Sequence, residues 1–91
     1  MTTPKPIDFS KVEVLRGRLG LSTSDVAIAM DVTRMTYYHW VRGGNMRESH
    51  ARRVRAVIRV MLDLLKDRRW FEQVLPAGPE ARRKRLLALV R

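Results

Sequence analysis

One short segment of the chain holds most of the side chains whose chemistry could recognise another molecule. Arg34, Tyr38, His39 and Arg42 all donate hydrogen bonds, and Met35 adds an apolar group among them. At about 100° of rotation per residue, a helix over this segment turns these five side chains to one side. The opposite side is then aromatic and apolar, with Tyr37, Trp40 and Val41. A short helix of this kind suits an element pressed into a groove that carries hydrogen-bond acceptors.

A second short helix is expected just before this segment. Ser24 to Met30 carries its apolar residues at the spacing of one helical face, at Val26, Ala27 and Met30. Asp31-Val32-Thr33 interrupts that pattern, and Thr33 is a favourable N-cap for the helix that follows. Because the Ala27 side chain is small, the two helices can cross closely. The pattern therefore predicts two helices joined by a tight turn, a helix-turn-helix.

The stretch from Leu21 to Gly43 resembles the Cro/repressor-type (XRE-like) helix-turn-helix DNA-binding family. The matching positions are Leu21, Val26, Ala27, Met30, Val32, Thr33, Arg34, Thr36, Trp40 and Gly43. Since they match at fixed offsets over about twenty residues, the resemblance is more specific than a dipeptide motif. Two positions depart from the family pattern. Asp31 stands where a left-handed glycine is usual, and Val41 stands where glutamate is usual.

The resemblance implies that the second helix of the motif enters the major groove of double-stranded DNA. The residues expected to contact bases are Thr33, Arg34, Met35, Tyr38, His39 and Arg42. The residues expected to hold phosphates are Thr23, Ser24, Asn45 and Arg47. Arg34 is the first candidate for a bidentate contact with guanine. Thr36, Tyr37 and Trp40 are assigned to packing.

The charge of the chain favours a polyanionic partner. Its net charge is +10, from 19 basic and 9 acidic residues. Residues 1–41 contain 5 basic and 4 acidic groups and carry +1, whereas residues 42–91 contain 14 and 5 and carry +9. Arginine outnumbers lysine by 15 to 4, and its planar fork suits phosphate. We therefore expect nucleic acid as the partner. The alternative is a basic surface that serves only solubility.

The sequence offers no set of side chains for catalysis or metal binding. It has no cysteine, its only histidines are His39 and His50, and it has no carboxylate pair at ligand spacing. No serine-histidine-acid order or glycine-rich phosphate loop is present. No apolar run approaches about twenty residues, and the N-terminus lacks a signal-peptide core. We therefore expect no enzyme activity, cofactor, small-molecule substrate or membrane partner, in a cytoplasmic, nucleoid-associated protein.

The elements that must position the motif predict an all-α, lambda-repressor-like domain of about five helices. Residues 1–9 are expected to form a flexible arm, residues 10–75 the helix-turn-helix domain, and residues 76–91 a basic, leucine-rich C-terminal helix. Residues 76–79, Pro-Ala-Gly-Pro, mark the break before that last helix.

The first helix is predicted to begin at a capping box formed by Ser10 and Glu13, and to end by Gly20. Phe9 is expected to fold back onto Val14 as a hydrophobic staple. The remaining assignments place Val12, Leu15 and Leu19 on the inward face and Arg16 and Arg18 on the outward face.

The fourth helix is predicted to be the longest, from Met46 to about Arg69, with a second capping box formed by Asn45 and Glu48. Its apolar residues span about 200° of the helical wheel, which is more than one neighbouring element covers. They are Ala51, Val54, Val57, Ile58, Met61, Leu62, Leu64 and Leu65. The opposite side carries Arg52, Arg55, Arg59 and Lys66. This basic face either is simply exposed to solvent or contacts DNA.

Pro79 is predicted to open a last helix that reaches Val90. Three roles for this helix remain open: packing on Trp70 and Phe71, dimerisation through its leucines, or polyanion binding through the basic run at residues 82–85.

These observations together favour a sequence-specific transcriptional regulator, a small phage- or mobile-element-type repressor. As a homodimer it would bind a palindromic operator with half-sites about 34–36 Å apart. The long helix or the C-terminal segment would form the dimer interface. Two other classes of protein are alternatives. One is a DNA-packaging or assembly subunit that uses the same motif. The other is a protein-binding inhibitor of a host enzyme that uses Tyr37, Tyr38 and Trp40.

Overall fold

The computed structural model describes residues 7–90, and every regular element in that range is helical. The expected all-α class is therefore confirmed for this part of the chain. The elements are α1 (Phe9–Leu19), α2 (Thr23–Ala29), α3 (Arg34–Val41), α4 (Glu48–Leu64), a π-helix (Trp70–Val74) and α5 (Pro79–Leu89). The expected N-terminal arm lies outside the described residues, apart from its last three positions. None of the helices within residues 7–90 has the length and apolar character needed to cross a membrane.

The first helix begins two residues before the predicted position. Asp8 is its N-cap, and one of its carboxylate oxygens accepts a 3.0 Å hydrogen bond from the backbone N–H of Ser10. The capping box predicted at Ser10 and Glu13 is therefore wrong, because Ser10 already lies inside the helix and Glu13 binds other groups. Hydrogen bonds from Ser10 also lower the pKa of the Asp8 carboxyl below its ordinary value.

Phe9 belongs to α1 and to the core instead of to a flexible arm. Its ring is only 5 % exposed and lies with its centroid 5.7 Å from that of Tyr37 and 5.6 Å from that of Trp40. The predicted staple onto Val14 is wrong, since Val14 points away and is 59 % exposed. The aromatic face of α3 offers Phe9 more apolar surface than a single valine could.

The inward face of α1 is as predicted, with Val12, Leu15 and Leu19 buried. Arg16 differs from the prediction, because it lies along the protein instead of pointing into solvent. Its Nη1 donates a 2.9 Å hydrogen bond to the carbonyl oxygen of Leu21, just beyond the end of α1. Its Nη2 binds the Glu13 carboxylate at 2.6 Å.

The long helix is shorter than predicted at both ends. It begins at Glu48 after Arg47, which makes no side-chain cap bond, so the capping box predicted from Asn45 is wrong. It ends at Leu64 instead of Arg69. The side chain of Asp67 then accepts a 2.9 Å hydrogen bond from the N–H of Arg69 and starts a new helical turn.

This turn carries Trp70 back into the core. Trp70 is 1 % exposed, and its indole N–H donates a 3.2 Å hydrogen bond to the carbonyl oxygen of Leu19 at the end of α1. The predicted helix would have continued straight to residue 69. The burial of Trp70 is the physical reason why the helix breaks after Leu64 instead. Phe71 beside it is 37 % exposed.

The last helix is packed into the same core as the others. Pro79 occupies its first turn as predicted, and Leu86 is fully buried against the rest of the chain. Two arginines fasten this end of the molecule to orphan helix-terminal carbonyls. Arg53 donates to Ala29 at 2.8 Å and to Val90 at 3.2 Å, whereas Arg82 donates to Leu75 at 2.9 Å and to Gly20 at 3.1 Å.

Candidate nucleic-acid interface

The third helix divides its side chains between the core and solvent as its sequence pattern predicts. Thr33 is the N-cap, and its hydroxyl accepts a 3.2 Å hydrogen bond from the N–H of Thr36. Tyr37 is fully buried and Trp40 is 4 % exposed, so the helix is anchored along one side. Val41 packs half-buried against the same core.

The outward side of α3 is open to solvent. Met35 is 82 % exposed and Tyr38 is 42 % exposed, and Arg34, His39 and Arg42 are exposed as well. The six residues predicted to contact bases line one shallow depression of about 650 Å³: Thr33, Arg34, Met35, Tyr38, His39 and Arg42. We call this set the α3 outer face. Guanidinium, imidazole, hydroxyl and thioether groups are thus presented together on a single helix.

The second helix lies against α3 and begins earlier than predicted. Ser22 is its N-cap and forms a capping box with Asp25, in which the Asp25 N–H donates to the Ser22 hydroxyl at 3.0 Å. The Ser22 N–H donates to the Asp25 carboxylate at 3.2 Å. Thr23 and Ser24 are therefore the first two residues of α2, and both are half-buried.

The turn between α2 and α3 contains a left-handed residue, as predicted for this position. Asp31 has φ of 61°, and it is the non-glycine residue with positive φ in the described range. The N–H of Val32 then donates a 3.0 Å hydrogen bond to the carbonyl of Ala27, which closes the end of α2. Ala27 is 1 % exposed, and its small side chain leaves room for α3.

The residues predicted to hold phosphates fall into two groups. Thr23 lies beside the α3 outer face, with its hydroxyl oxygen 3.3 Å from the phenolic oxygen of Tyr38. Asn45 and Arg47 are exposed in the non-helical segment that precedes α4. Asn45 does not sit at a helix start as expected, because Arg47 is the N-cap of α4, and Met46 between them packs partly buried against the core.

Gly44 leaves room for the His39 side chain at the end of the α3 outer face. Any Cβ at Gly44 would collide with the His39 imidazole, so the ring lies directly over the glycine backbone. On the other side of α3, the Trp40 ring lies 5.5 Å from the His50 ring of α4. The C-terminal end of α3 therefore contacts both the following loop and α4.

A partly buried polar contact behind α3 joins it to α1, and the sequence did not predict it. The Tyr37 hydroxyl donates a 2.6 Å hydrogen bond to Glu13, which also receives the Arg16 guanidinium at 2.6 Å. The bond to Arg16, aided by that from Tyr37, holds the pKa of Glu13 below its ordinary value. Burial and the neighbouring carboxylate raise the pKa of Tyr37. No local pattern reveals this contact, because the partners are 24 positions apart.

The described residues contain no group of three or more histidine, aspartate or glutamate side chains that could hold a metal ion. No family model matches the chain, and neither a curated protein nor a solved structure matches it.

Proposed function

We propose that this chain is a sequence-specific, double-stranded-DNA-binding transcriptional regulator in which α2 and α3 form a helix-turn-helix. The observation that carries the proposal is the division of α3. Tyr37 and Trp40 are locked in the core, while six recognition-competent side chains share the opposite face. An α-helix is about 10–12 Å in diameter with its side chains, and the major groove of B-DNA, about 12 Å wide, admits an α-helix such as α3.

The outer-face side chains suit base edges. Arg34, at the exposed start of α3, is assigned the bidentate contact with guanine, because its fork matches the two acceptors that guanine presents in the major groove. Met35 and Tyr38 are assigned to thymine methyl groups, and His39 to a base or phosphate acceptor. Arg42 follows the last turn of α3 and is assigned to a base or a phosphate.

Phosphate contacts are assigned to the residues that flank the α3 outer face: Thr23, Ser24, Asn45 and Arg47. Thr23 and Ser24 open α2, where backbone N–H groups and the helix dipole favour an anion. Asn45 and Arg47 are exposed just beyond α3. The charge of +9 carried by residues 42–91 supplies the general attraction to DNA.

A single helix of this length contacts few base pairs, so we propose that two copies bind a palindromic operator. Half-sites would lie about 34–36 Å apart, one turn of the duplex. We propose a small repressor of the phage or mobile-element type, located with the nucleoid. Its occupancy of the operator would follow its concentration.

The decisive experiment is selection of bound duplexes from a random DNA pool, followed by binding titrations by fluorescence anisotropy. We expect enrichment of one sequence with two inverted half-sites. Equal affinity for selected and random duplexes would contradict sequence-specific regulation and would favour an assembly subunit that coats DNA. Absence of binding to any duplex at low salt would contradict both and favour a protein-binding role.

A further inference from the structure

A groove runs along the seam between α4 and α5 and shares no lining residue with the α3 outer face. It consists of two adjoining depressions that both include Val60 and Leu89. Arg55 and Arg59 line the first depression. The second is lined by Asp63 and Asp67, with Arg85 on its α5 side. We call the whole feature the α4–α5 groove.

The charges of this groove are ordered along its length. Arg55, Arg59, Asp63 and Asp67 follow one another at intervals of four residues, and the first three lie on one face of α4. At 1.5 Å per residue, about 12 Å separates Arg55 from Asp63 along the helix axis. One end of the groove is therefore cationic, whereas the α4 side of the other end is anionic.

The two central charges of this series have no ion-pair partner within residues 7–90. The ion pairs of that part of the chain include neither Arg59 nor Asp63. Both side chains are exposed, so they are free to pair with another molecule. Between them, half-buried Val60 and the 39 %-exposed Leu89 offer an apolar centre.

We propose that the α4–α5 groove is the surface through which two copies of this chain associate, with their fourth helices antiparallel. A two-fold axis near the middle of the groove reverses its direction, so the cationic end of each copy meets the anionic end of the other. Arg59 then pairs with Asp63 of the partner copy, and Leu89 packs across the axis. This inference rests on the proposed function for its need of two copies.

Charge complementarity selects a second copy over other occupants. Two molecules of net charge +10 repel each other except where acidic groups face basic ones. A nucleic acid or an acidic peptide would satisfy Arg55, Arg59 and Arg85 but would be repelled by Asp63 and Asp67. The occupant must carry both signs in the reverse order, and a second copy related by a two-fold axis does so by symmetry.

The test is sedimentation equilibrium of the full chain without DNA, so that its outcome does not depend on DNA binding. Arg59→Asp and Asp63→Arg each place two like-charge contacts across the two-fold axis. We expect either variant to raise the dimer dissociation constant at least about tenfold. The double variant R59D/D63R should recover the wild-type constant. Lys84→Asp makes the same charge change as Arg59→Asp at an exposed position of α5 that does not line the groove, and it should have no such effect.

Mixing the two single variants gives the sharpest measurement. The Arg59→Asp chain is acidic at both central positions of the groove, whereas the Asp63→Arg chain is basic at both. A heterodimer should therefore form from two variants that do not self-associate. Pairing within one chain cannot produce this result. Thermal unfolding of each variant verifies that a loss of association does not arise from a loss of folding.

Three results would overturn the proposal. The first is a wild-type chain that stays monomeric at every concentration. The second is an equal weakening by Lys84→Asp, which would indicate a non-specific charge effect. The third is a dimer that resists both charge reversals and is broken by Leu62→Glu, at the apolar surface between α1 and α4 where Leu62 is 49 % exposed. In each case the selection of DNA sites remains a separate measurement of the proposed function.

Discussion

The hydroxyl of Tyr37 in α3 donates a 2.6 Å hydrogen bond to the carboxylate of Glu13 in α1. The same carboxylate is held by Arg16, which in turn binds the carbonyl of Leu21 just before α2. Three segments of the chain are thereby joined on the inner side of α3. Because Tyr37 cannot rotate without breaking this contact, the direction of the α3 outer face is set from within the core.

Tyr37→Phe should destabilise the fold by about 1–2 kcal/mol. The change removes a hydrogen bond to a charged acceptor, and water can reach the partly exposed Glu13 and replace part of the loss. The measurement is urea unfolding followed by tryptophan fluorescence or circular dichroism. Tyr38→Phe is the matched control, because the Tyr38 hydroxyl is exposed and its contact with the Thr23 hydroxyl is long, at 3.3 Å. Equal stabilities of the two variants would contradict the role of the Tyr37 contact.

Acidification should weaken the fold through Glu13. Its pKa lies below the ordinary value of 4.5 because Arg16, and then Tyr37, donate hydrogen bonds to the carboxylate. The contribution is therefore present above pH 4.5 and is lost as the pH falls through the lowered pKa. Urea midpoints measured as a function of pH should show a shallower acid decline in Glu13→Gln than in the parent chain. A decline of the same steepness would assign the acid sensitivity to other carboxylates.

The sequence was sufficient to predict the two faces of α3. Tyr37 and Trp40 are three residues apart and share one side of a helix, whereas Arg34, Tyr38 and His39 fall on the other side. The left-handed conformation of Asp31 was also expected, because the family that the segment resembles has a left-handed glycine at this position. Sequence patterns predict the structure correctly where it is determined by residues close together in the chain.

Distant contacts explain where the sequence-based predictions were wrong. The N–H of Trp70 reaches the carbonyl of Leu19, 51 positions away, and this contact requires the break that ends α4 early. Phe9 was assigned to an arm, but the aromatic face of α3 draws it into the core. The capping boxes predicted at Ser10 and Asn45 both had correct spacing. Neither formed, because Asp8 is the N-cap of α1 and Arg47, not Asn45, occupies the N-cap position of α4.

Asp31→Gly should stabilise the fold by about 0.5–1 kcal/mol. A left-handed φ of 61° costs an L-residue about 1 kcal/mol, although aspartate tolerates it better than most, and glycine adopts it without steric cost. Thermal unfolding of the variant should show a higher midpoint. Asp31→Ala is the control and should lower it, since alanine has no side-chain group to favour this conformation. A stabilisation by both substitutions would exclude backbone strain as the cause.

Arg34→Ala should relax recognition at one base position and cost about 1–3 kcal/mol on the selected duplex. The Arg34 side chain is exposed at the first residue of α3, where its loss does not disturb the core. The measurement is a titration of the variant against duplexes that differ at each operator position in turn. Lys66→Ala, which removes an exposed charge after the end of α4, is the control. An equal loss on every duplex would contradict base reading by Arg34.

Arg47→Ala should weaken binding to all duplexes alike and reduce the salt dependence of binding. Arg47 is exposed before α4 and makes no cap bond with its side chain, so its removal leaves the helix start intact. Each phosphate contact releases about 0.9 of a condensed counterion, and the slope of log K against log salt should therefore fall by about one. The two variants thus separate base contacts from phosphate contacts. Arg34→Ala should change the sequence preference, whereas Arg47→Ala should change the salt dependence of binding. An unchanged slope in Arg47→Ala, with affinity equally unchanged, would place this residue outside the DNA contact.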